Sequence, residues 1–373
     1  MIPAMPPANA EFQHKISLLR KVLEQHRVDA LLLRRVSSFA WATCGAASYV
    51  NTAIAEGAAS LLITREQLYL ATNVIEAPRL EQEEGLSEQG WEFHVSPWEA
   101  PLQALHRLVS GLSLASDVPF LGAKDIGPEI ARLRTHLTPA EGERFRALGR
   151  LCAEALTAAA QQIHPGLSEL QLAALVGSEA QQRGVQPIVN LVATDERAYH
   201  FRHPLPTEKK LDKYVMLILS GRRRGLVCSI SRLVHFGRLP DDLRRRIEAT
   251  AQVNAAYIAH SRPGQSLSEV LAAGQKAYAC VGFPDEWRWH LQGGLTGYEP
   301  REVLATSTSG EIITAGQVLA WNPTIAGAKV EDTILVGPVS NEIMTRTSLW
   351  PVAAVQTPGA PGEVACALAL EVF

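Results

Sequence analysis

The sequence is poor in the features that mark an export signal, a membrane anchor, a disulfide frame or a nucleic-acid surface. Cysteine occurs five times in 373 residues, at Cys44, Cys152, Cys228, Cys280 and Cys366, an odd and scattered set with no CxxC pair. That argues against a cystine framework or a cysteine-built zinc site and reads as reduced, mostly buried thiols. No apolar run reaches the roughly 18 residues of a membrane span. The N-terminal MIPAMPPANAEFQHK lacks a charged region followed by an apolar one. A cytoplasmic location with no membrane partner is expected. Net charge is −3, with no basic block interleaved with aromatics, so no nucleic-acid partner is expected.

What is present is the composition of a globular chain, 47% hydrophobic and 20% charged. The length suggests two domains of about 100–200 residues each. Residues 1–11, rich in Pro and Ala, read as a disordered tail. From Glu11 to His26 the apolar positions Ile16, Leu19, Val22 and Leu23 recur at helical spacing, and VDALLLRR follows as a short buried strand. ASLLIT and QLYLAT flank Arg65-Glu66 as a hairpin. Alternating helices and strands over 12–135 predict a smaller α/β domain.

LTPAEGERFRALG starts a helix at Thr138, with Pro139 at the first helical position and Glu141 three residues after the cap. That helix ends at His164-Pro165-Gly166, and Ser168-Glu169 opens another. The pattern then returns: a helix over Leu243 to Ser261, a break at Arg262-Pro263-Gly264, and a start at Ser266 to Glu269. Helix, Pro-Gly break, Ser-Glu start and helix in one order argue for a duplicated unit over 136–356. Each half carries a hairpin. YVMLILS and LVCSISRLVHFG surround Gly221 to Gly225; VLAWNPTI and AKVEDTILV surround Ala326-Gly327. The remaining 357–373 reads as a C-terminal tail.

Within the second half, between its second helix and its hairpin, stands HLQGGLTGYEPRE, His290 to Glu302, with three glycines among ionisable side chains. Glycines spaced this way let backbone turn sharply or approach another group closely.

These motifs together resemble the pita-bread family of Xaa-Pro aminopeptidases, prolidases, methionine aminopeptidases and creatinase. The resemblance rests on the Pro-Gly and Ser-Glu helix starts, HP-x-PTEKKL-x-K before a strand, SISR, H-x-x-G-G-x-x-G, and N-P followed by VEDTILV. It implies an α+β fold: a pita-bread C-terminal domain of pseudo-twofold halves after a creatinase-like N-terminal domain. It also implies a homodimer and a small-molecule or dipeptide-like substrate. Metal-dependent members hold two divalent ions with two Asp on the first hairpin, the second His of H-x-x-G-H-G-x-G, and two Glu. Here those positions fall on Leu219 or Ser220 (Ile218 without a deletion), on Ser229, on Gly294 and on Asn322; only Glu331 keeps its carboxylate. A lone carboxylate among neutral groups does not hold two hard cations, so neither a metal nor another cofactor is expected.

On this resemblance His203 is the acid/base, because imidazole titrates near neutrality and moves a proton without a metal. Glu331 and Glu302 complete the expected catalytic set. Arg301 is suited to grip a carboxylate through two parallel bonds. Asn322 can donate to and accept from an amide. His290, His200, Ser220, Ser229 and Gly294 are expected to line the same cavity. The bland reading of each is a loop histidine, a structural ion pair or a strand-packing residue. The expected activity is metal-independent hydrolysis of a small C–N-bonded substrate. The alternatives are a non-catalytic pseudo-peptidase that binds a small ligand, and an Xaa-Pro dipeptidase with a displaced metal site.

Overall fold

The computed structural model describes residues 9–357 and 363–373. The chain divides into two units: one ends at His136 and takes in Arg224–Leu226, and the other spans Leu137–Arg223 and Val227–Phe373. In the first unit, α1 (Asn9–His26) buries Ile16, Leu19, Val22 and Leu23, as a helix with apolar residues on one stripe must. It begins at Asn9, so residues 9–11 are helical and not part of a tail; residues 1–8 lie outside the described residues. Strand β1 (Ala30–Arg35) is buried from Ala30 to Leu33 and leads into α2 (Val36–Ala42). After the hairpin β2 (Glu56–Thr64) and β3 (Leu68–Asn73) come α3 (Ala77–Gln82), β4 (Glu92–Ser96), α4 (Gln103–Leu108), β5 (Leu114–Ser116), β6 (Lys124–Asp125) and α5 (Gly127–Arg134). The strands form one sheet in the order β4-β3-β2-β1-β5-β6.

The second unit opens on α6 (Pro139–Ala160), α7 (Glu169–Gln182), β7 (Gln186–Thr194) and a single turn, α8 (Arg197–His200). The hairpin β8 (Tyr214–Arg223) and β9 (Leu226–Phe236) follows, then α9 (Asp241–His260) and α10 (Leu267–Cys280). Capping boxes start α6 at Thr138, α7 at Ser168 and α10 at Ser266. Each satisfies main-chain N–H groups that a helix start leaves without partners. The duplication extends to single hydrogen bonds. Gly166 N donates to Leu211 O and Gly264 N to Ile313 O; Glu169 N donates to Lys209 O and Leu267 N to Glu311 O. Ser168 bridges Lys210, and Ser266 bridges Ile312.

The second half supplies β10 (Gly293–Thr296), β11 (Val303–Leu304), β12 (Val318–Trp321), β13 (Thr324–Ile325), β14 (Ala328–Lys329), β15 (Asp332–Leu335) and β16 (Glu342–Ile343). Last come β17 (Val352–Gln356), β18 (Glu363–Ala367) and β19 (Leu370–Val372). One sheet runs β19-β9-β8-β7 and the other β11-β10-β12-β15-β16. They are tied where Ser231 N donates to Glu331 O at 3.1 Å and Ser229 N to Thr333 Oγ1 at 3.1 Å. The C-terminal residues are not a tail. Strand β18 pairs with β17, and β19 lies parallel to β9 with Leu370 opposite Val234; residues 358–362 lie outside the described residues. Among the described residues no helix is long and apolar enough to cross a membrane.

Candidate functional site

The loop after α8 brings His203 to His290 at the end of the 3-10 turn Glu286–Trp289, with their Nε2 atoms 3.1 Å apart. Two further contacts fix this meeting. Arg202 donates to Glu286 at 2.5 Å, tying the first-half loop to the second-half turn. Gln292 donates to the carbonyls of His290 at 2.8 Å and Trp287 at 3.1 Å, while its Oε1 accepts from Tyr278 at 3.0 Å and Tyr257 at 3.2 Å. Trp321 stacks on Tyr257 with ring centroids 4.5 Å apart and is wholly buried, so it packs and does not face a ligand.

Behind the histidines lies a charged cluster. Glu331, 4% exposed, accepts from Ser231 Oγ at 2.9 Å and Arg301 Nη2 at 3.2 Å, and Lys329 Nζ stands 3.7 Å away. Burial alone raises the Glu331 pKa; Lys329, Arg301 and the Ser231 hydroxyl outweigh it and hold the carboxyl below its ordinary range. Lys329 is only 2% exposed. Burial, helped by Arg301 and Arg202, lowers its pKa against the pull of Glu331. Burial and then Lys329 also lower the His203 pKa, with Glu331 opposing. For His290, burial first and then Lys329, His203 and Arg202 push the value down to about 2. That ring is neutral at any physiological pH.

The cluster therefore unites four of the residues expected from sequence: His203, His290, Arg301 and Glu331. Others sit elsewhere. Glu302 accepts from the N–H of Tyr298 at 2.9 Å, closing its own loop. His200 is exposed at the end of α8 with its ring edge toward Phe201. Asn322, oriented as its neighbours require, donates to the carbonyls of Leu291 and Gln292, both at 2.9 Å. Its amide laces the glycine-rich loop and is not held open for a substrate. Ser220 and Ser229 are buried and share a hydrogen bond of 2.9 Å across their hairpin.

Gly294 is not an open wall of a cavity. Its φ is +152°, and a Cβ there would stand 2.1 Å from Val303 O and 2.9 Å from Ala305 N. The position is glycine because β11 runs across it.

Two members of the cluster escaped the sequence reading: Lys329 and Arg202. Period-two alternation puts Lys329 on the same side of its segment as Glu331, which was signal enough. Arg202 had none beyond adjacency to His203. In the N-terminal unit Arg34 pairs with Glu56 at 2.8 Å, Arg35 Nε donates to Asp117 O at 3.0 Å, and Trp41 is buried. Among the described residues, no group of three or more His, Cys, Asp or Glu side chains is placed to hold a metal.

The profile of metallopeptidase family M24 matches residues 143–338. An uncharacterized peptidase of Staphylococcus haemolyticus is 25% identical over 231 residues, 59% of this chain and 65% of that protein; the chain thus spans just under two thirds of this relative's length. Among solved structures, a prolidase from Pyrococcus horikoshii OT3 superposes with a TM-score of 0.77 at 19% identity, covering 90% of this chain and 99% of that one. An Xaa-Pro dipeptidase from Bacillus anthracis gives 0.75 at 18% identity, covering 90% and 98%. At such identities the likeness establishes the fold.

Proposed function

Because the chain belongs to metallopeptidase family M24, we propose that it is a hydrolase-like protein that has given up the metal ions of its family. In this reading it acts on a small C–N-bonded, dipeptide-like substrate with His203 as the proton carrier. The observation that carries the reading is the surroundings of Glu331. It is the one carboxylate kept where the family's ligands stand, and Arg301 and Lys329 already neutralise it. A divalent ion there would face an ammonium and a guanidinium with hydroxyls and a glycine for ligands. Such a donor set does not fit a hard or borderline dication.

Without a Lewis acid, charge that develops on the substrate is met by preorganised donors. Arg301 and Lys329 are placed for that, and the cationic excess favours a substrate bearing a carboxylate. A homodimer and a cytoplasmic location belong to the same reading.

The test is elemental analysis of the purified protein together with hydrolysis of Xaa-Pro dipeptides and small C–N-bonded compounds, with and without chelator. Turnover is expected to survive chelation. Chelator-sensitive turnover with about two ions per chain would overturn the proposal and favour a displaced metal site.

One observation favours a second reading, a non-catalytic binder. Both Glu331 oxygens already accept a bond, Oε1 from Arg301 and Oε2 from Ser231, and the nearby cations hold its pKa down, which makes it a weak base toward water. Under that reading a dipeptide raises the melting temperature with no product formed.

A further inference from the structure

The contact between His203 and His290 contains more than proximity. The rings meet edge-on, with centroids 4.9 Å apart and planes at 66°, and their Nε2 atoms are 3.1 Å apart. A hydrogen bond between two Nε2 atoms needs one donor and one acceptor, so two neutral rings must be opposite tautomers. The two rings are not equivalent. His290 is 9% exposed, whereas His203 is exposed. The charged groups acting on the pair are Lys329, Arg301, Arg202 and Glu331, with Glu286 on Arg202. Three cations against two carboxylates disfavour a doubly protonated pair.

When His203 holds its proton, both of its nitrogens bear hydrogen and its Nε2–H can only donate. His290 must then accept at Nε2 and carry its own hydrogen at Nδ1. Its Nδ1 has no partner within hydrogen-bond geometry, but the main chain of Asn322 favours a proton on this ring. If instead His290 donated, neutral His203 would be the Nδ1–H tautomer with its Nε2 lone pair already taken. It would then have no nitrogen left to act as a base.

We propose that His290 is a positioning residue, an imidazole that accepts the Nε2–H of His203 and makes Nδ1 of His203 the atom that takes up and releases the proton. This rests on the reading of His203 as the proton carrier. The proton from the reacting group arrives at Nδ1 and leaves from Nδ1, while the Nε2–H stays on its acceptor throughout. No tautomer change is needed between the two states. The contacts of Gln292 on the His290 main chain and of Arg202 on Glu286 hold the two rings to this geometry.

Long-range proton–nitrogen correlation NMR on the histidine-labelled full chain reads tautomers and titration directly, with His203→Gln and His290→Gln giving the assignments. In the wild type, neutral His203 is expected as the Nε2–H tautomer and His290 as Nδ1–H, with His290 not titrating between about pH 5 and 9. His290→Leu removes the acceptor. His203 is then expected to become a tautomer mixture and to lose its proton about half to one pH unit lower, the excess of the charge-assisted bond over the same bond from the neutral ring. His290→Gln keeps an acceptor oxygen and should keep the wild-type tautomer. Finding wild-type His203 as Nδ1–H, His290 titrating in that window, or His203 unmoved in His290→Leu would overturn the proposal. The wild-type spectrum decides even if the leucine variant does not fold. These readouts involve no turnover, so loss of the metal-free hydrolase reading and loss of this one are separately visible.

Discussion

The two halves of the C-terminal unit share a scaffold and differ in charge. Ser220 and Ser229 stand to Asn322 and Glu331 at the sequence offset that separates Lys210 from Ile312, and the flanking helix starts are hydrogen-bonded alike. Yet the first hairpin offers two hydroxyls bonded to each other. The second offers a buried carboxylate between Arg301 and Lys329. The duplicated part is the backbone and its caps, which any sequence with the right turn and helix signals supplies. The part specific to this molecule is a set of charges collected around one hairpin only, reached from the first half by His203, Arg202 and the Ser231 hydroxyl.

The comparison breaks most severely at Gly294, where the family's metal-dependent members carry a histidine. In Gly294→His the new side chain would start 2.1 Å from Val303 O at a φ of +152°. Backbone strain and overpacking together should cost about 3 kcal/mol or more, measured by urea unfolding. A folded, metal-binding Gly294→His protein would show that the second half is still a metal site in waiting.

Next is the pair of equivalent positions. Glu331→Gln leaves buried Lys329 and half-buried Arg301 without their carboxylate and should cost about 3–5 kcal/mol. Ser229→Ala loses one bond between neutral hydroxyls, about 1 kcal/mol or less. Equal costs would refute the charge asymmetry. The Glu331 term also has a sign in pH. Its folded pKa is depressed, so its stability is present above the unfolded value of about 4.3 and is lost as the pH falls through the folded one. Glu331→Gln should lack that part of the acid transition.

His290 gives a graded effect. Folded, it resists protonation down to about 2, whereas an unfolded histidine takes up a proton near 6.5. Stability is therefore present above about 6.5 and lost as the pH drops below it, by up to about 1.4 kcal/mol per pH unit. The stability of His290→Gln relative to wild type should climb at that rate between about pH 6 and 4. A pH-independent difference would mean that the ring is not held neutral.

Much of this was legible in sequence because it is written in local signals. Thr138, Ser168 and Ser266 announce helices through their own side chains. Both hairpins follow from apolar runs around glycine turns, and His203, His290, Arg301 and Glu331 stand in or beside the motifs that carry the family resemblance. What was not legible depends on the backbone of distant segments. Asn322 is consumed by two carbonyls of the glycine-rich loop, Glu302 by the N–H of Tyr298, and Gly294 by the passage of β11; none of these partners is implied by residue type. Strand β19 escaped because it pairs with β9 across most of the domain. Lys329 is a different failure: the alternation that exposes it was available, but a lysine in a strand is ordinarily read as solvated.

The smallest effect tests the shared side of the comparison. Ser168 accepts from Gln171 N and Ser266 from Glu269 N, both at the starts of second helices and both reciprocated at the cap's own N–H. Ser168→Ala and Ser266→Ala should each cost about 1 kcal/mol, read as equal shifts of the urea midpoint at unchanged slope. The reciprocal partner differs, Gln171 in one half and Glu269 in the other. The carboxylate also meets the positive end of its helix, so Ser266→Ala should show the stronger dependence on salt and acid. If the two caps instead differ by several-fold at neutral pH, the halves are alike in outline only, and the duplication would have drifted apart in energy as far as the hairpins have in charge.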